Sequence, residues 1–278
     1  MAASSIIRGL SGNVPALVAA LVVVVLLLTA LFGPRLVSHA PDAMDLDSLR
    51  LPPGTDHLLG TDSKGRDILS RIVHGTRISL GVGVAATVLS LLIGVAFGLL
   101  AGYFGGAADL VLSQVFDIFL AFPSLLLAIG ISAVLSPGLG TAMLAITLVS
   151  WAGFARLVRG LALTLRHQTY VEASRALGAT HLRILTRHIL PNALPLLLVA
   201  ASLRVGGFIL LEAALSFLGL GVQPPTPTWG SMISLNRAYI HSAPWMVIFP
   251  GIAISITVIS FNLLGDYLRD KLDPRFPG

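Results

Sequence analysis

Three long stretches of the chain contain no Asp, Glu, Lys or Arg, namely Ile78–Ala108, Ile118–Ala155 and Ala238–Gly265. About 20 consecutive apolar residues are enough for a helix to cross a bilayer. Over the whole chain 55% of residues are hydrophobic and only 11% are charged, which is about half the charged share of an ordinary soluble domain. The sequence therefore predicts an all-α protein with several membrane-spanning helices.

The apolar runs divide into six predicted spans. They are Val14–Phe32, Ile78–Leu100, Ala108–Leu135, Thr141–Leu161, Ala193–Leu218 and Trp245–Leu264. We interpret the first as a retained helix, because it is longer than the apolar part of a signal peptide and ends at Gly33-Pro34-Arg35. Pro123 should kink the third span. In the second, Gly94, Gly98 and Gly102 recur every four residues, so that face should allow close approach of another helix.

The predicted organisation has three parts. Residues 1–76 form the first span and an extracytoplasmic segment, residues 77–265 a permease-like membrane domain with a loop at 166–192, and residues 266–278 a cytoplasmic tail. Between Arg35 and Thr76 the chain carries six Asp and five Lys or Arg. This balanced charge favours a solvated linker over a further span.

Basic residues set the predicted orientation. The formal net charge is +5, and the region around the loop holds six arginines against one acid, Glu172; the arginines are Arg156, Arg159, Arg166, Arg175, Arg183 and Arg187. An excess of arginine marks cytoplasmic loops. Counting crossings from a cytoplasmic N-terminus places the loop on the same side, so both termini should be cytoplasmic. No basic run is interleaved with aromatic residues, which argues against a nucleic-acid partner.

The loop contains local signals for two short helices. Thr169 and Glu172 have the spacing of a capping box, Gly178 suits the left-handed residue that ends a helix, and Thr180 can cap a second helix that Pro191 should stop. On that second helix the residues expected to share an apolar side are Leu182, Ile184, Leu185 and Ile189. The pattern predicts an amphipathic helix-turn-helix that offers a surface to a soluble partner, with Arg183 and Arg187 either contacting that partner or only marking the cytoplasmic side.

The same loop resembles that of a known family. Glu172-Ala173-Ser174, followed by Gly178 and by Leu190-Pro191, is similar to the EAA loop of ABC importer permeases. Ser174 replaces the usual second alanine and His188 an isoleucine. Three further segments resemble the dipeptide, oligopeptide and nickel branch of that family: Leu59–Asp67, Asp117–Pro123 and Glu212–Pro227.

The resemblance implies the type I importer permease fold and a set of partners. These are a homologous second permease subunit, two ABC ATPase subunits, an extracytoplasmic substrate-binding protein and the lipid of a prokaryotic cytoplasmic membrane. It also implies that the coupling loop uses Thr169, Glu172, Ala173, Gly178, Arg183, Arg187, Leu190 and Pro191 to meet an ATPase. The substrate would be a dipeptide or oligopeptide, with a nickel chelate as the alternative.

Other chemistries are not indicated. The chain lacks a phosphate-binding loop with Lys and Ser or Thr, so ATP and Mg²⁺ should bind on partner subunits, and this subunit should be neither an enzyme nor a cofactor carrier. Cysteine is absent and the seven histidines are scattered, so no metal site is expected. An ion-coupled transporter is the remaining alternative, but it would favour inverted repeats and acids at mid-bilayer.

Two charged residues within predicted spans are candidates for the translocation path. Arg204 lies about ten residues into the fifth span, where an unpaired arginine is costly. It should therefore meet a substrate carboxylate or carbonyl, or else pair with an acid of a neighbouring helix or of the partner subunit. Glu212 could attract a peptide amine, although packing or capping is the simpler role. Asp109 and Asp117 are expected at helix ends or between helices.

Overall fold

The computed structural model of the protein describes residues 13–272. Within that range the regular elements are helices, apart from one isolated β-bridge between Thr61 and Asp67. The α-helices are α1 Val14–Phe32, α2 Ile68–Leu99, α3 Gly106–Ala121, α4 Ser124–Val134, α5 Leu139–Leu165, α6 Thr169–Ala176, α7 His181–Ile184, α8 Leu190–Phe217, α9 Trp229–Asn236 and α10 Trp245–Leu272.

Five helical stretches of residues 13–272 are long and apolar enough to cross a membrane, and there are six when the bent pair α3–α4 is counted as one span. The predicted all-helical membrane architecture is therefore confirmed, with five to six spans. The last helix is longer than predicted, because it continues from Leu264 through Asp266 to Leu272. The final six residues of the expected tail, 273–278, lie outside the described range.

Helix α2 and helix α5 pack together through the three glycines predicted for this purpose. A Cβ added at Gly94 would lie 2.5 Å from the Cβ of Phe154, and one at Gly98 would lie 2.5 Å from the carbonyl oxygen of Ala155. At Gly102 the same atom would approach the carbonyl oxygen of Arg159 to 2.6 Å. Only glycine allows the backbones to come so close.

The third span is broken rather than kinked. Helices α3 and α4 meet at an angle of 89°, and the break falls at Phe122, which is extended with φ −89° and ψ 139°. A residue before proline is pushed away from helical angles. Pro123 thus ends α3 as well as removing a hydrogen bond.

The segment between α1 and α2 is solvated as expected over most of residues 34–59, but from Gly60 onward it packs against the protein. Asp62 and Arg66 are 1% and 2% exposed and form an ion pair of 2.6 Å. Thr61 is also buried, and its Oγ1 accepts the N–H of Leu51 and donates to the carbonyl of Ser48. The buried charges of Asp62 and Arg66 are thus paired with each other, and Arg71 lies 3.8 Å from the same carboxylate.

The end of the proline-rich segment after α8 packs against the bundle. Thr228 and Ser231 form a capping box at the start of α9. Trp229 is fully buried, and its Nε1 donates to the carbonyl of Ile72 at 3.2 Å. Helix α9 packs on both α8 and α10, so it closes one end of the bundle.

Candidate functional site: the loop between α5 and α8

Helix α6 ends as its sequence predicts. Gly178 has φ +81°, a left-handed conformation in which a side chain is strained. Its N–H bonds to the carbonyl of Arg175, and the N–H of Ala179 bonds to the carbonyl of Ser174, both at 3.0 Å. This pair of bonds is the Schellman motif. The chain therefore turns at Gly178 in a defined way rather than as a flexible connection.

Helix α7 starts as predicted, but α6 does not. Thr180 caps α7 through a bond from the N–H of Arg183 to its Oγ1 at 3.3 Å. The predicted capping box at Thr169 and Glu172 was wrong, because Gln168 takes the cap position and Thr169 is already the first helical residue. The Thr169 hydroxyl is thus one position too late to accept an N–H of the first turn.

Without that capping bond, the Glu172 carboxylate is free to bind a group outside the loop. It lies in the first turn of α6 and is exposed, and among residues 13–272 its carboxylate has no hydrogen-bond or ion-pair partner. A carboxylate near a helix N-terminus is favoured by the helix dipole. The position leaves Glu172 available to a group on another molecule, which the local capping role would not have done.

Pro191 does not stop the second helix, contrary to the prediction. A π-helical turn, Leu185–Ile189, follows α7 and leads directly into α8. A proline has no N–H to donate and its ring clashes with the preceding helical turn, and the wider turn of a π-helix accommodates both. As a result His181–Phe217 is one helical stretch of 37 residues, and the loop is mechanically continuous with the fifth span.

The inner face of the loop is fixed to the bundle by apolar contacts. Val171, Ile184 and Ile189 are completely buried, in a cluster with Tyr103 and Ala162. They come from α6, from α7 and the π-helical turn after it, from the end of α5 and from the turn Leu100–Phe104 that follows α2. The predicted apolar side is therefore correct for Ile184, Leu185 and Ile189, whereas Leu182 is exposed.

Polar contacts add to this attachment. The Tyr103 hydroxyl lies 2.8 Å from Nδ1 of His181, and Ser174 Oγ lies 3.1 Å from Nε2 of His188. Arg166 donates to the carbonyl of Gly102 at 3.0 Å. The loop is thus joined both to itself and to the end of α2.

The arginines of α5 that precede the loop have partners on α3. Arg159 donates to Asp109 through Nη2 at 2.8 Å, and Arg156 pairs with Asp117. Both acids therefore sit between helices, as expected. These pairs connect the start of the loop to the bent pair α3–α4.

The loop exposes two leucines as well as charged residues. Leu177 is 89% exposed and Leu182 is 70% exposed. The predicted coupling residues that are exposed are Thr169, Glu172, Ala173, Gly178, Arg183, Arg187 and Pro191. Leu190 is instead packed against Val158 and its neighbours at the base of α8. Exposed apolar side chains accompanied by charged ones are typical of protein-binding surfaces.

Arg204 lies in the middle of α8 and lines a cavity between α8, α5 and the bent pair α3–α4. The cavity has a volume of about 500 Å³, and its wall includes Phe119, Phe122, Ser150, Gly153 and Phe208. A Cβ added at Gly153 would lie 3.4 Å from Arg204 Nη2, so the glycine makes room for the guanidinium. Within residues 13–272 no acid pairs with Arg204, which leaves its charge facing the cavity.

Glu212, the second path candidate, is placed differently. It is completely buried, and its carboxylate accepts hydrogen bonds from Ser216 at 2.7 Å and from Ser79 at 3.2 Å. The side chain joins α8 to α2 and has no access to the cavity. The structure therefore corrects its assignment to the path in favour of the packing role that the sequence also allowed.

The structure also brings together residues that the sequence did not associate. His39, His57 and Asp67, from the segment between α1 and α2, place metal-ligating atoms within 4.8 Å of one another. They are 18 and 10 positions apart in the chain. No spacing motif of the kind used to find metal sites indicates them.

Comparison with known proteins supports the motif-based resemblance. The family model described as binding-protein-dependent transport system inner membrane component matches residues 94–277. The N-terminal TM domain of oligopeptide transport permease C matches residues 4–53.

Curated relatives match almost the whole chain. The dipeptide transport system permease protein DppC of Alkalihalophilus pseudofirmus is 46% identical over 96% of this chain and 88% of its own length. The glutathione transport system permease protein GsiD of Pectobacterium atrosepticum is 45% identical over 94% and 87%. The probable D,D-dipeptide transport system permease protein DdpC of Escherichia coli is 42% identical over 97% and 90%.

Solved structures share the fold. The inward-facing methionine ABC transporter MetNI superposes with a TM-score of 0.58 at 24% identity, covering 72% of this chain and 95% of the other. An amino acid ABC transporter with histidines gives 0.54 at 18% identity, over 70% and 91%.

Proposed function

We propose that this chain, which belongs to the family of binding-protein-dependent transport system inner membrane components, forms half of the passage of an ATP-driven importer for dipeptides or oligopeptides. The other half is a homologous permease subunit. Two ATPase subunits, which bind ATP and Mg²⁺, sit beneath it, and an extracytoplasmic binding protein delivers the substrate. The chain itself is then a transport subunit and not an enzyme.

One observation carries the coupling role, namely the exposure of Leu177 and Leu182 on the loop. They are 89% and 70% exposed although they lie outside the apolar membrane-spanning runs. Burying a leucine side chain contributes about 1.5–3 kcal/mol, so a soluble partner that covers both gains appreciable affinity. Glu172, Arg183 and Arg187, which are exposed on the same loop, supply orientation through charge.

The continuous helix His181–Phe217 gives the coupling a mechanical route. Arg204 lies 22 residues beyond Leu182, which corresponds to about 33 Å of helix. When the ATPases close on ATP and displace α7, α8 moves with it as a rigid rod. The wall of the Arg204 cavity shifts against α3 and α5, and the passage changes the side to which it opens.

Peptide is the substrate class that the relatives favour. The three relatives compared are named for a dipeptide, for glutathione and for a D,D-dipeptide. A free peptide carries a terminal carboxylate, and Arg204 offers the guanidinium that pairs with such a group in two parallel hydrogen bonds. The aromatic rings of Phe119, Phe122 and Phe208 provide apolar surface for side chains of varied shape.

Orientation follows from the arginine bias. The loop 166–192 and both termini face the cytoplasm, and the segment between α1 and α2 faces the outside of a prokaryotic cytoplasmic membrane. The positive-inside rule supports this arrangement. Labelling of single cysteines is a direct measurement, since the chain has no cysteine of its own.

The proposal is tested by reconstitution. The chain, its partner permease, the ATPases and the binding protein are placed in proteoliposomes, and uptake of a labelled dipeptide is measured with ATP and with a non-hydrolysable analogue. We expect uptake only with ATP. Uptake that persists without the ATPases, or uptake of a nickel chelate in place of peptides, would contradict the ABC or the peptide assignment respectively.

A matched pair of variants tests the coupling surface itself. Leu182→Glu should abolish co-purification of the ATPase, because the charge cannot be buried in an apolar contact. Leu46→Glu, at a leucine that is 73% exposed in the segment between α1 and α2, should leave co-purification unchanged. If both variants retain the ATPase, the loop surface is not the docking site.

A further inference from the structure

The segment between α1 and α2 holds a cluster of three potential metal ligands. Nδ1 of His57 lies 2.9 Å from Oδ2 of Asp67. The ring centroids of His39 and His57 are 4.9 Å apart, and the three ligating atoms all lie within 4.8 Å of one another. Within residues 13–272 this is the one group of three or more such side chains.

We propose that His39, His57 and Asp67 bind a divalent transition-metal ion of the zinc type. Two imidazole nitrogens and one carboxylate oxygen are a donor set that suits Zn²⁺ and its first-row neighbours, whereas Mg²⁺ and Ca²⁺ prefer ligands that are all oxygen. A tetrahedral Zn²⁺ with three protein ligands keeps one position for water.

The distance between His57 and Asp67 fits such an ion. With metal–ligand bonds of about 2.0–2.1 Å, two ligands of a tetrahedral Zn²⁺ lie about 3.3 Å apart. The His57–Asp67 separation of 2.9 Å is within a few tenths of an ångström of that value. His39 is exposed, so its ring can rotate to complete the set without disturbing a packed core.

The backbone on either side of the cluster is already held in place. Ser70 Oγ donates to the carbonyl of His39 at 2.6 Å, and Arg71 Nη1 donates to the carbonyl of Pro41 at 2.7 Å. These two bonds fasten the residues that follow α1 to the first turn of α2. His39 is therefore kept beside Asp67 by bonds that do not involve the ligating atoms.

The other two ligands are fixed as well. The carbonyl of His57 accepts the N–H of Gly60 at 2.8 Å. Asp67 is the N-cap of α2, and its Oδ1 accepts the N–H of Ser70 at 2.7 Å. Because Oδ1 does the capping, Oδ2 is available to an ion. Pre-positioned ligands reduce the ordering that metal binding requires.

The surroundings provide space and negative charge. A cavity of about 140 Å³ is lined by His39, Asp45, His57 and Asp67, which is enough for an ion and its water. Asp45 also lines this cavity, and its carboxylate adds negative charge beside the three ligands.

A simple hydrogen bond between His57 and Asp67 is the competing explanation. It accounts for those two residues but not for His39, whose ring lies against the pair with no hydrogen-bond or ion-pair partner among residues 13–272. The bound ion would join the chain after α1 to the start of α2. A ligand that binds only the folded state also raises its stability.

The experiment is a Zn²⁺ titration of the assembled transporter, purified through a histidine-free tag and freed of metal with a chelator. Calorimetry should give one Zn²⁺ per chain with a dissociation constant in the micromolar range or tighter. His39→Ala and His57→Ala should each weaken binding at least about tenfold. His241→Ala, at an exposed histidine of another loop, should bind as the unaltered protein does, and Mg²⁺ should give no signal.

Two further measurements keep the test decisive if His57→Ala fails to fold. Asp67→Asn removes the ligand charge but keeps a residue that caps helices equally well, so it should fold and still lose affinity. Co²⁺ bound at the site should show the visible absorption of a tetrahedral complex, and Asp67→Asn should remove it. Absence of stoichiometric Zn²⁺ binding, or equal binding by the ligand variants and His241→Ala, overturns the proposal.

Discussion

Ser174 Oγ lies 3.1 Å from Nε2 of His188, and these are the two positions at which the loop departs from the general pattern of its family. Ser174 is on α6 and His188 is on the π-helical turn before α8. The two departures are therefore one contact. It ties the first loop helix to the stretch that leads into the membrane.

This contact predicts coupling between the two positions. Ser174→Ala and His188→Ile should each weaken ATPase binding, and the double variant should weaken it less than the sum of the two, by about 0.5–1.5 kcal/mol, the net value of one hydrogen bond. A double-mutant cycle on the binding equilibrium measures this difference. The control pair, His188→Ile with Thr164→Ala on exposed α5 surface, should be additive; equal behaviour of the two cycles would contradict the prediction.

The turn at Gly178 gives a second prediction. Its φ of +81° costs an L-residue about 1–2 kcal/mol, so Gly178→Ala should distort the turn between α6 and α7 and reduce ATPase affinity about 5- to 30-fold. Gly160→Ala is the matched control, since that glycine is helical and a Cβ there meets nothing within 4 Å. An unchanged affinity in Gly178→Ala would show that the docking surface tolerates a different turn.

The glycine face of α2 gives a third prediction. Gly98→Ala places a Cβ 2.5 Å from the Ala155 carbonyl oxygen and 2.6 Å from the Val158 Cβ, so α2 and α5 must separate at a cost of about 1–3 kcal/mol. The temperature of half-maximal aggregation in detergent should fall. Gly81→Ala on the same helix, where a Cβ has no neighbour within 4 Å, should leave it unchanged or raise it. A similar fall in both variants would point to a loss of helix flexibility instead of overpacking.

Local signals in the sequence were sufficient to predict helix packing at Gly98, the helix end at Gly178 and the helix cap at Thr180. Each of these roles involves residues a few positions away or a single helical face. The local signals failed at Thr169, where the cap lies one residue earlier, at Gln168. The spacing of capping residues cannot by itself show which of two adjacent residues begins a helix. Here the first residue of α6 depends on the packing of Val171 against the bundle.

Long-range contacts were beyond the reach of the sequence. Glu212 accepts a hydrogen bond from Ser79, which is 133 residues away, and no pattern in either helix predicts that contact. The break at Pro123 was visible as a kink, but its size of 89° depends on how α3 and α4 pack against α5. The meeting of His39 with Asp67 likewise depends on the folded segment between α1 and α2.

Glu212 gives a fourth prediction, based on its burial. Glu212→Ala removes the acceptor for the Ser79 and Ser216 hydroxyls and should destabilise the protein by about 1–3 kcal/mol, seen as less folded protein in the membrane and a lower aggregation temperature. Glu212→Gln keeps an acceptor oxygen and should have a smaller effect. Uptake per folded transporter should stay close to that of the unaltered protein in Glu212→Gln; a selective loss of uptake with normal stability would return Glu212 to the path.

Arg204 gives the fifth prediction, which separates substrate contact from a structural ion pair. If the guanidinium meets the substrate carboxylate, Arg204→Gln should reduce uptake of a free dipeptide by about tenfold or more, because charge-assisted hydrogen bonds contribute about 1.5–3 kcal/mol. The same variant should reduce uptake of the dipeptide with an amidated C-terminus much less, when each peptide is compared with its own uptake by the unaltered protein. Arg204→Lys keeps the charge without the planar fork, so its uptake of the free dipeptide should lie between that of the unaltered protein and that of Arg204→Gln.

Both peptides must be presented at concentrations that saturate the binding protein, so that differences arise in the membrane passage. Equal losses for the free and the amidated peptide, accompanied by a lower aggregation temperature, would instead mean that Arg204 pairs with an acid of the partner permease, and the cavity on this subunit would then be an interface and not a wall of the passage.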